Sequence, residues 1–235
     1  ALYISLVPAI AESFTTRQIE QARYRTQTAF RLTFMIGLPA TAALLVVGRD
    51  VYSILFKGAG WPVMSPLALS TLFMMVQQTS SGALQGMGKI WVSVRNMLIG
   101  VGVKIALTYW WTGIPALAER GAAYATDVGF LVAAGLQLWA LWKYMGFKLN
   151  VRADVVKPFI ASAIMAVLVW LTSLGLHQFL GYGRLAGVLV VIVGAAVYAV
   201  AILAVGGVTI ADIGLIPGFP QRGVDVLRRY RLLRD

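Results

Sequence analysis

The chain is 235 residues long, 59% hydrophobic and only 12% charged, with 20 Lys and Arg against 9 Asp and Glu and a formal net charge of +11. A soluble domain carries about 25% charged residues, so this composition excludes one and points to an all-α, polytopic transmembrane helical bundle. Cysteine is absent, which excludes disulfides and thiolate metal sites, and the lone His177 leaves no imidazole cluster for a metal and no Ser-His-Asp machinery, so neither a metal nor a cofactor is expected.

The chain opens on "ALYISLVPAIAE" without an initiator Met and without the layout of a signal peptide. These mostly apolar residues fall short of the about 20 needed to cross a bilayer. Ala1 is therefore expected partway along a helix, and the chain is read as the C-terminal part of a larger protein. The next stretch, "SFTTRQIEQARYRTQTAF", is polar and basic and predicts an interfacial helix or loop, with Glu12 placed to close a salt bridge to it. The first full span is 31–48, where Gly37 and Pro39 predict a kink near the middle. "RDVYSILFKGAGW" is too short to cross and is expected at the opposite surface. Residues 62–87 cross back, 90–112 cross again and 121–144 return. A final pair, 158–180 and 185–205, is joined by the short turn "GYG". Pro158 suits the first turn of its helix, where a missing N–H costs nothing. The map holds six whole spans and one partial one. It divides into 1–147, a partial transmembrane lobe, 148–206, two further helices, and 207–235, a basic tail.

Lys and Arg on alternate loops test that map. Of the 20 Lys and Arg, fifteen fall on one side, four (Arg49, Lys57, Arg120 and Arg184) on the other, and Lys104 is left over. Such asymmetry makes the rich side, with the C-terminus, cytoplasmic. The tail "RRYRLLR" then faces anionic lipid headgroups, and no nucleic-acid partner is expected. Tyr109–Trp111 at one edge and Trp139, Trp142 and Tyr144 at the other suit the two membrane interfaces.

With the spans set, the polar groups at depth become the candidate site. Gln77, Gln78, Ser81 and Gln85 share one span, the last three at i, i+3 and i+7 on one face, beside the small-residue pair Gly82 and Gly86. They read either as close packing with interhelical hydrogen bonds or as the wall of a hydrated cavity. On the next span Ser93, Asn96, Gly100, Lys104 and Thr108 form a polar or small stripe. A lysine near the centre of a membrane helix disfavours insertion by about 2.5–3.5 kcal/mol, so Lys104 needs a partner or a task. Lys104 and Asp127, on consecutive antiparallel spans, lie about 10–12 Å below the same surface by helical rise. Equal depth predicts an ion pair, either structural or functional, with snorkelling of Lys104 as a third reading. Arg95, near the inner end of its span, reads as an anchor or as the edge of an entrance for an anionic ligand.

The segments "SLVPAIAE", "RLTFMIGLPATAALLVVGRDVYSILFKG", "SSGALQGMGK", "VRNMLIGVGVKIALTYW" and "GAAYATDVGFLVA" together resemble, in order, the second half of bacterial polysaccharide-biosynthesis flippases. They are most similar to the stage V sporulation protein B-like branch of the multidrug/oligosaccharidyl-lipid/polysaccharide (MOP) exporter superfamily. The resemblance covers residues 1 to about 147, with a compatible pair of helices after it. It implies two six-helix lobes around a cavity that opens alternately to each side, of which this chain holds part of the second plus two extra helices, the first lobe being missing. It also implies a bacterial cytoplasmic-membrane transporter of lipid-linked saccharides with phosphate or pyrophosphate headgroups, such as oligosaccharides or peptidoglycan precursors of the cell wall. The apolar last pair could border a groove for the lipid tail. Some lipid II flippases of the superfamily are similar around a cation site that Lys104, Thr108 and Thr126 match in position. Here a lysine stands where an amide would be and a threonine where a carboxylate would be, so the ammonium of Lys104 is expected to replace the ion, balanced by Asp127.

The substrate-cavity set implied is Gln77, Gln78, Ser81, Gln85, Arg95, Asn96, Lys104 and Thr108, with Lys104, Thr126 and Asp127 as charge pair or ion site. The alternative is cation-coupled multidrug efflux in the same superfamily, which would centre on carboxylates at depth, where Asp127 stands alone. A membrane enzyme would need clustered acids, a nucleophile with its base, or metal ligands. The scattered Glu12, Glu119 and Asp127 supply none of these.

Overall fold

Long apolar runs can enter a bilayer only with every backbone group paired inside the segment, which makes helices of them. The computed structural model describes residues 2–16, 18–56, 61–115, 117–180 and 184–204. Among them are the helices α1 (Leu2–Thr15), α2 (Ile19–Leu55), α3 (Met64–Gly86), α4 (Ile90–Thr112), α5 (Ala118–Met145), α6 (Lys157–Leu180) and α7 (Arg184–Ala204), and no strand. A 3-10 turn, Trp61–Val63, precedes α3, and a π-helical turn, Val151–Val156, leads into α6. Four stretches are long and apolar enough to cross a membrane on their own: Ile19–Tyr52, Ile90–Thr112, Glu119–Met145 and Asp154–Gly175. The 23-residue α3 is not among them, because its C-terminal half is rich in Gln, Ser and Thr. It packs against α1, α2 and α5, and protein neighbours on those sides take the place of lipid.

Two expectations about α2 are corrected. The basic stretch after α1 is the start of α2 itself, which runs on for 37 residues to Leu55. Its first turns bury Ala22, Thr26, Ala29 and Phe30, and Phe30 stacks on Phe147 with ring centroids 5.2 Å apart. Arg25 docks α1 here, donating to the Ala9 carbonyl and lying 3.2 Å from Glu12, the salt bridge expected for that acid. The second correction concerns the kink. Backbone angles stay helical through Gly37 and Pro39 and break at Val47 (φ −114°, ψ 23°). Pro39 has no N–H for the Met35 carbonyl four residues back; the Tyr198 hydroxyl of α7 donates to that carbonyl instead, at 2.6 Å.

α2 is therefore shared by two packing groups. One face joins α1, α3 and α5 around Ile10, Phe30, Leu84 and Leu141. The other meets α6 and α7 around Val47, Met165, Val169 and Val190, and around Ala161, Ala201 and Ile202. Pro158 stands in the first turn of α6, as expected. The turn between α3 and α4 is a Schellman motif: Gly88 at φ 72° lets its own N–H reach Gln85 O and the N–H of Lys89 reach Leu84 O. α4 is thereby folded back antiparallel to α3, packs chiefly on α5, and leaves most of its outer face exposed. Tyr109, Trp110, Trp139, Trp142 and Tyr144 are exposed at the helix ends, as interfacial aromatics are. The expected turn at 181–183, the His177 side chain and the tail at 207–235 lie outside what is described.

Candidate functional site

The polar stripe of α4 splits into two parts with different work. Ser93, Asn96 and Gly100 are its buried residues and form the seam with α5. A Cβ at Gly100 would lie 2.6 Å from Gly129 O and 2.7 Å from Ala133 Cβ, so the two backbones touch where glycines allow it. Asn96 Nδ2 donates to Leu136 O at 3.1 Å, which commits its amide to packing. Ser93 Oγ lies 2.6 Å from Ser81 Oγ, which also accepts from Gln85 Nε2 at 3.1 Å, tying α3 to α4. For these residues the structure favours the packing reading. Gly86 likewise serves contact with α1, since a Cβ there would meet Ile10 at 2.8 Å.

Lys104 and Gln77 behave differently. Both line a half-open cleft of about 150 Å³ between α3, α4 and α5, and they are its polar side chains among walls such as Met97, Val101 and Phe130. Lys104 is half-buried, with its Cβ against Gly129. Among the described residues neither its ammonium nor the Gln77 amide has a hydrogen-bond or ionic partner. The remaining candidates lie apart. Gln78 and Arg95 are exposed, Thr108 accepts from Thr112 through its backbone carbonyl, and Thr126 Oγ1 donates to Ala122 O at 2.9 Å.

The expected pairing of Lys104 with Asp127 is corrected: no ion pair joins them. Depth was matched and azimuth was not. Gly129 is the α5 residue that meets Lys104, and two residues on a helix are about 200° apart. Asp127 therefore points away from α4 and faces Ser70 of α3. With the carboxylate turned away, the Lys104–Thr126–Asp127 set does not assemble into one ion site. No group of three or more His, Cys, Asp or Glu that could hold a metal occurs among the described residues.

Two contributors escaped the sequence reading. Gln137 is buried in α5, reaching Ser93 O at 3.4 Å with Nε2 while its Oε1 stays unpaired. An amide inside "AAGLQLWALW" was the available signal. Thr33 and Thr79 join α2 to α3 through a 2.6 Å hydroxyl contact. What the cleft can do chemically is bounded by its groups. An unpaired ammonium and a carboxamide in an apolar wall can donate to a phosphate oxygen, the ammonium through charge-assisted hydrogen bonds.

Set against known proteins, residues 1–191 match the family described as "Lipid II flippase MurJ". Three proteins of Bacillus subtilis (strain 168) are similar. The uncharacterized membrane protein YabM is 27% identical over 220 residues, covering 91% of this chain and 41% of the relative. Stage V sporulation protein B is 25% identical over 187 residues, covering 78% and 35%, and lipid II flippase MurJ is 25% identical over 235 residues, covering 94% and 41%. The chain spans about two fifths of the length of these relatives.

Proposed function

The chain belongs to the lipid II flippase MurJ family, and from that premise we propose that it is part of a transporter that moves a lipid-linked saccharide across the bacterial cytoplasmic membrane by alternating access. The substrate class proposed is a lipid-linked oligosaccharide or peptidoglycan precursor with a phosphate or pyrophosphate headgroup. The observation that carries this reading is the unpaired Lys104 ammonium in a cleft that Gln77 also lines. It lies about 12 Å below the helix end, inside a membrane-spanning bundle. An intramembrane charge is expensive and calls for a partner; the headgroup phosphate supplies one when substrate is bound.

The lipid tail has a separate berth in this reading. A half-open cleft of about 280 Å³ runs between α2, α6 and α7, walled by Pro39, Val47, Met165, Val169, Val190 and Gly194 among others. Its apolar lining suits an isoprenoid chain that stays in hydrocarbon while the headgroup crosses. Alternating access needs one bundle to rock against another. We assign the second bundle to a further lobe of the same protein, in keeping with relatives more than twice as long as the part matched. The Lys and Arg asymmetry of the loops supports a cytoplasmic position for the fifteen-cation side and the C-terminus.

The test is flipping of a fluorescent polyprenyl-pyrophosphate saccharide in vesicles holding the full-length protein. Losing one hydrogen bond to a charged group costs about 1.5–3 kcal/mol, so Lys104→Gln is expected to slow flipping by about tenfold or more at limiting substrate. An unchanged rate would overturn the headgroup site.

A further inference from the structure

Two lysines at the cation-rich end of the bundle are gathered around one aromatic ring. Lys89 closes the turn between α3 and α4, where its N–H bonds Leu84 O at 2.8 Å, and Lys143 stands in the last turn of α5. Their ammonium groups lie 5.1 and 5.9 Å from the centroid of the Tyr144 ring, and that of Lys143 lies 5.3 Å from the Trp139 ring. A ring face holds a lysine and leaves its N–H donors free. Two like charges around one ring repel, and among the described residues no acid pairs with either.

The acids of this chain are placed or spent elsewhere. α3 and α4 carry none, and those of α5, Glu119 and Asp127, lie about 24 Å or more along the helix from Lys143. Glu20 is held by Arg23 at 2.6 Å, Glu12 lies 3.2 Å from Arg25, and Asp154 accepts from Gln27. Lys89 also stands at the positive end of the α4 dipole, which favours an anion and not a lysine.

Below the two cations the surface turns apolar. Lys143, Trp139, Gly135 and Leu131 follow one another at four-residue steps along α5, and all are exposed. A Cβ at Gly135 would have nothing within 4 Å, so the row dips between Trp139 and Leu131. Its length is about 18 Å, close to the hydrocarbon depth of one leaflet, about 15 Å. A charged head at an aromatic interface, over an apolar strip one leaflet deep, has the outline of a phospholipid.

We propose that Lys89, Lys143 and Tyr144 seat the phosphodiester headgroup of an anionic membrane phospholipid, with an acyl chain lying over Trp139, Gly135 and Leu131. Basic sites between helix ends on the cytoplasmic side of a membrane suit such headgroups. The phosphate accepts from both ammonium groups, and charge-assisted hydrogen bonds replace their mutual repulsion. The seat lies about 22 Å along α4 from Lys104 and does not depend on the flippase reading.

The test uses the full-length protein, otherwise free of cysteine, with bimane on Leu131→Cys in phosphatidylcholine vesicles. Quenching is followed as phosphatidylcholine or phosphatidylglycerol with brominated acyl chains is added. The anionic lipid is expected to quench at about fivefold lower mole fraction, the factor one lysine contributes at an anionic surface. In Lys89→Gln/Lys143→Gln, both exposed positions, the two lipids should quench alike. Lys148→Gln/Arg152→Gln removes equal charge from exposed positions at the same end and should keep the preference. Equal quenching by the two lipids before the lysines are changed, a preference that survives Lys89→Gln/Lys143→Gln, or an equal loss in both double variants would overturn the seat. Loss of the preference on adding inorganic phosphate at constant ionic strength would overturn it too, by showing a site for free phosphate.

Discussion

Removing the Tyr198 hydroxyl tests how the last two helices are held. Pro39 denies the Met35 carbonyl its intrahelical donor, and Tyr198 of α7 replaces that donor at 2.6 Å. Interhelical hydrogen bonds in membranes average about 0.6 kcal/mol and reach about 1.7. Here the alternative is an orphaned carbonyl, at about 1–3 kcal/mol, so Tyr198→Phe should cost about 1–2 kcal/mol. Pro39→Ala provides the control, because residue 39 then donates its own N–H to Met35 O. In that background Tyr198→Phe should cost only a few tenths of a kcal/mol, giving a coupling of about 1 kcal/mol in the double-mutant cycle. Reversible unfolding in mixed micelles, followed by circular dichroism, measures all four proteins. Equal costs in the two backgrounds would refute the argument, because the hydroxyl would then be acting through something other than the carbonyl that proline freed.

Two further outcomes follow from the seam and from the α1 dock. Gly100→Ala drives a methyl to 2.6 Å from Gly129 O, so it should destabilise the α4–α5 pair by about 1–3 kcal/mol. Gly102→Ala, two residues on with nothing within 4 Å, should be stabilising by up to about 1 kcal/mol through helix propensity; the same unfolding experiment separates them, and similar effects would remove the seam from the account. At α1, Arg25→Ala should cost about 1–2 kcal/mol through the lost bond to the Ala9 carbonyl. Glu12→Gln should change stability by less than about 0.5 kcal/mol, since Glu12 is 72% exposed and its ion pair is solvent-screened. A larger effect at Glu12 than at Arg25, seen in the same unfolding curves, would reverse that assignment.

The helices were legible because apolar length is a one-dimensional property: the expected 90–112 is α4 itself, and 62–87 and 121–144 fall within a few residues of α3 and α5, although α3 is not apolar enough to cross a membrane on its own. The stretch at the start of α2 was read as an interfacial helix or loop, and it is helical; that it runs on into the next helix was not read, although Ala22, Thr26, Ala29 and Phe30 already repeat at helical spacing. The missing kink at Pro39 was not legible locally; its compensation comes from Tyr198, far along the chain. Depth along a span could be counted from sequence, which placed Lys104 and Asp127 at one level. Which way each pointed depended on where Gly100 and Gly129 let the backbones meet, and that is a property of the packed pair. The amides Gln77 and Asn96 were equally visible as polar residues, yet one opens on the cleft and the other is spent on Leu136 O.

The central claim is that the Lys104 ammonium receives the phosphate of a lipid headgroup in the α3–α4–α5 cleft. Solid-state NMR on the full-length protein, with nitrogen-labelled lysine and a bound polyprenyl-pyrophosphate saccharide, reads that contact directly. A phosphorus–nitrogen dipolar coupling to the Lys104 Nζ, lost in Lys104→Gln while the surface lysines are unaffected, is the predicted result. A bound lipid whose phosphorus couples only to Lys89, Lys143 or other interfacial cations would contradict it.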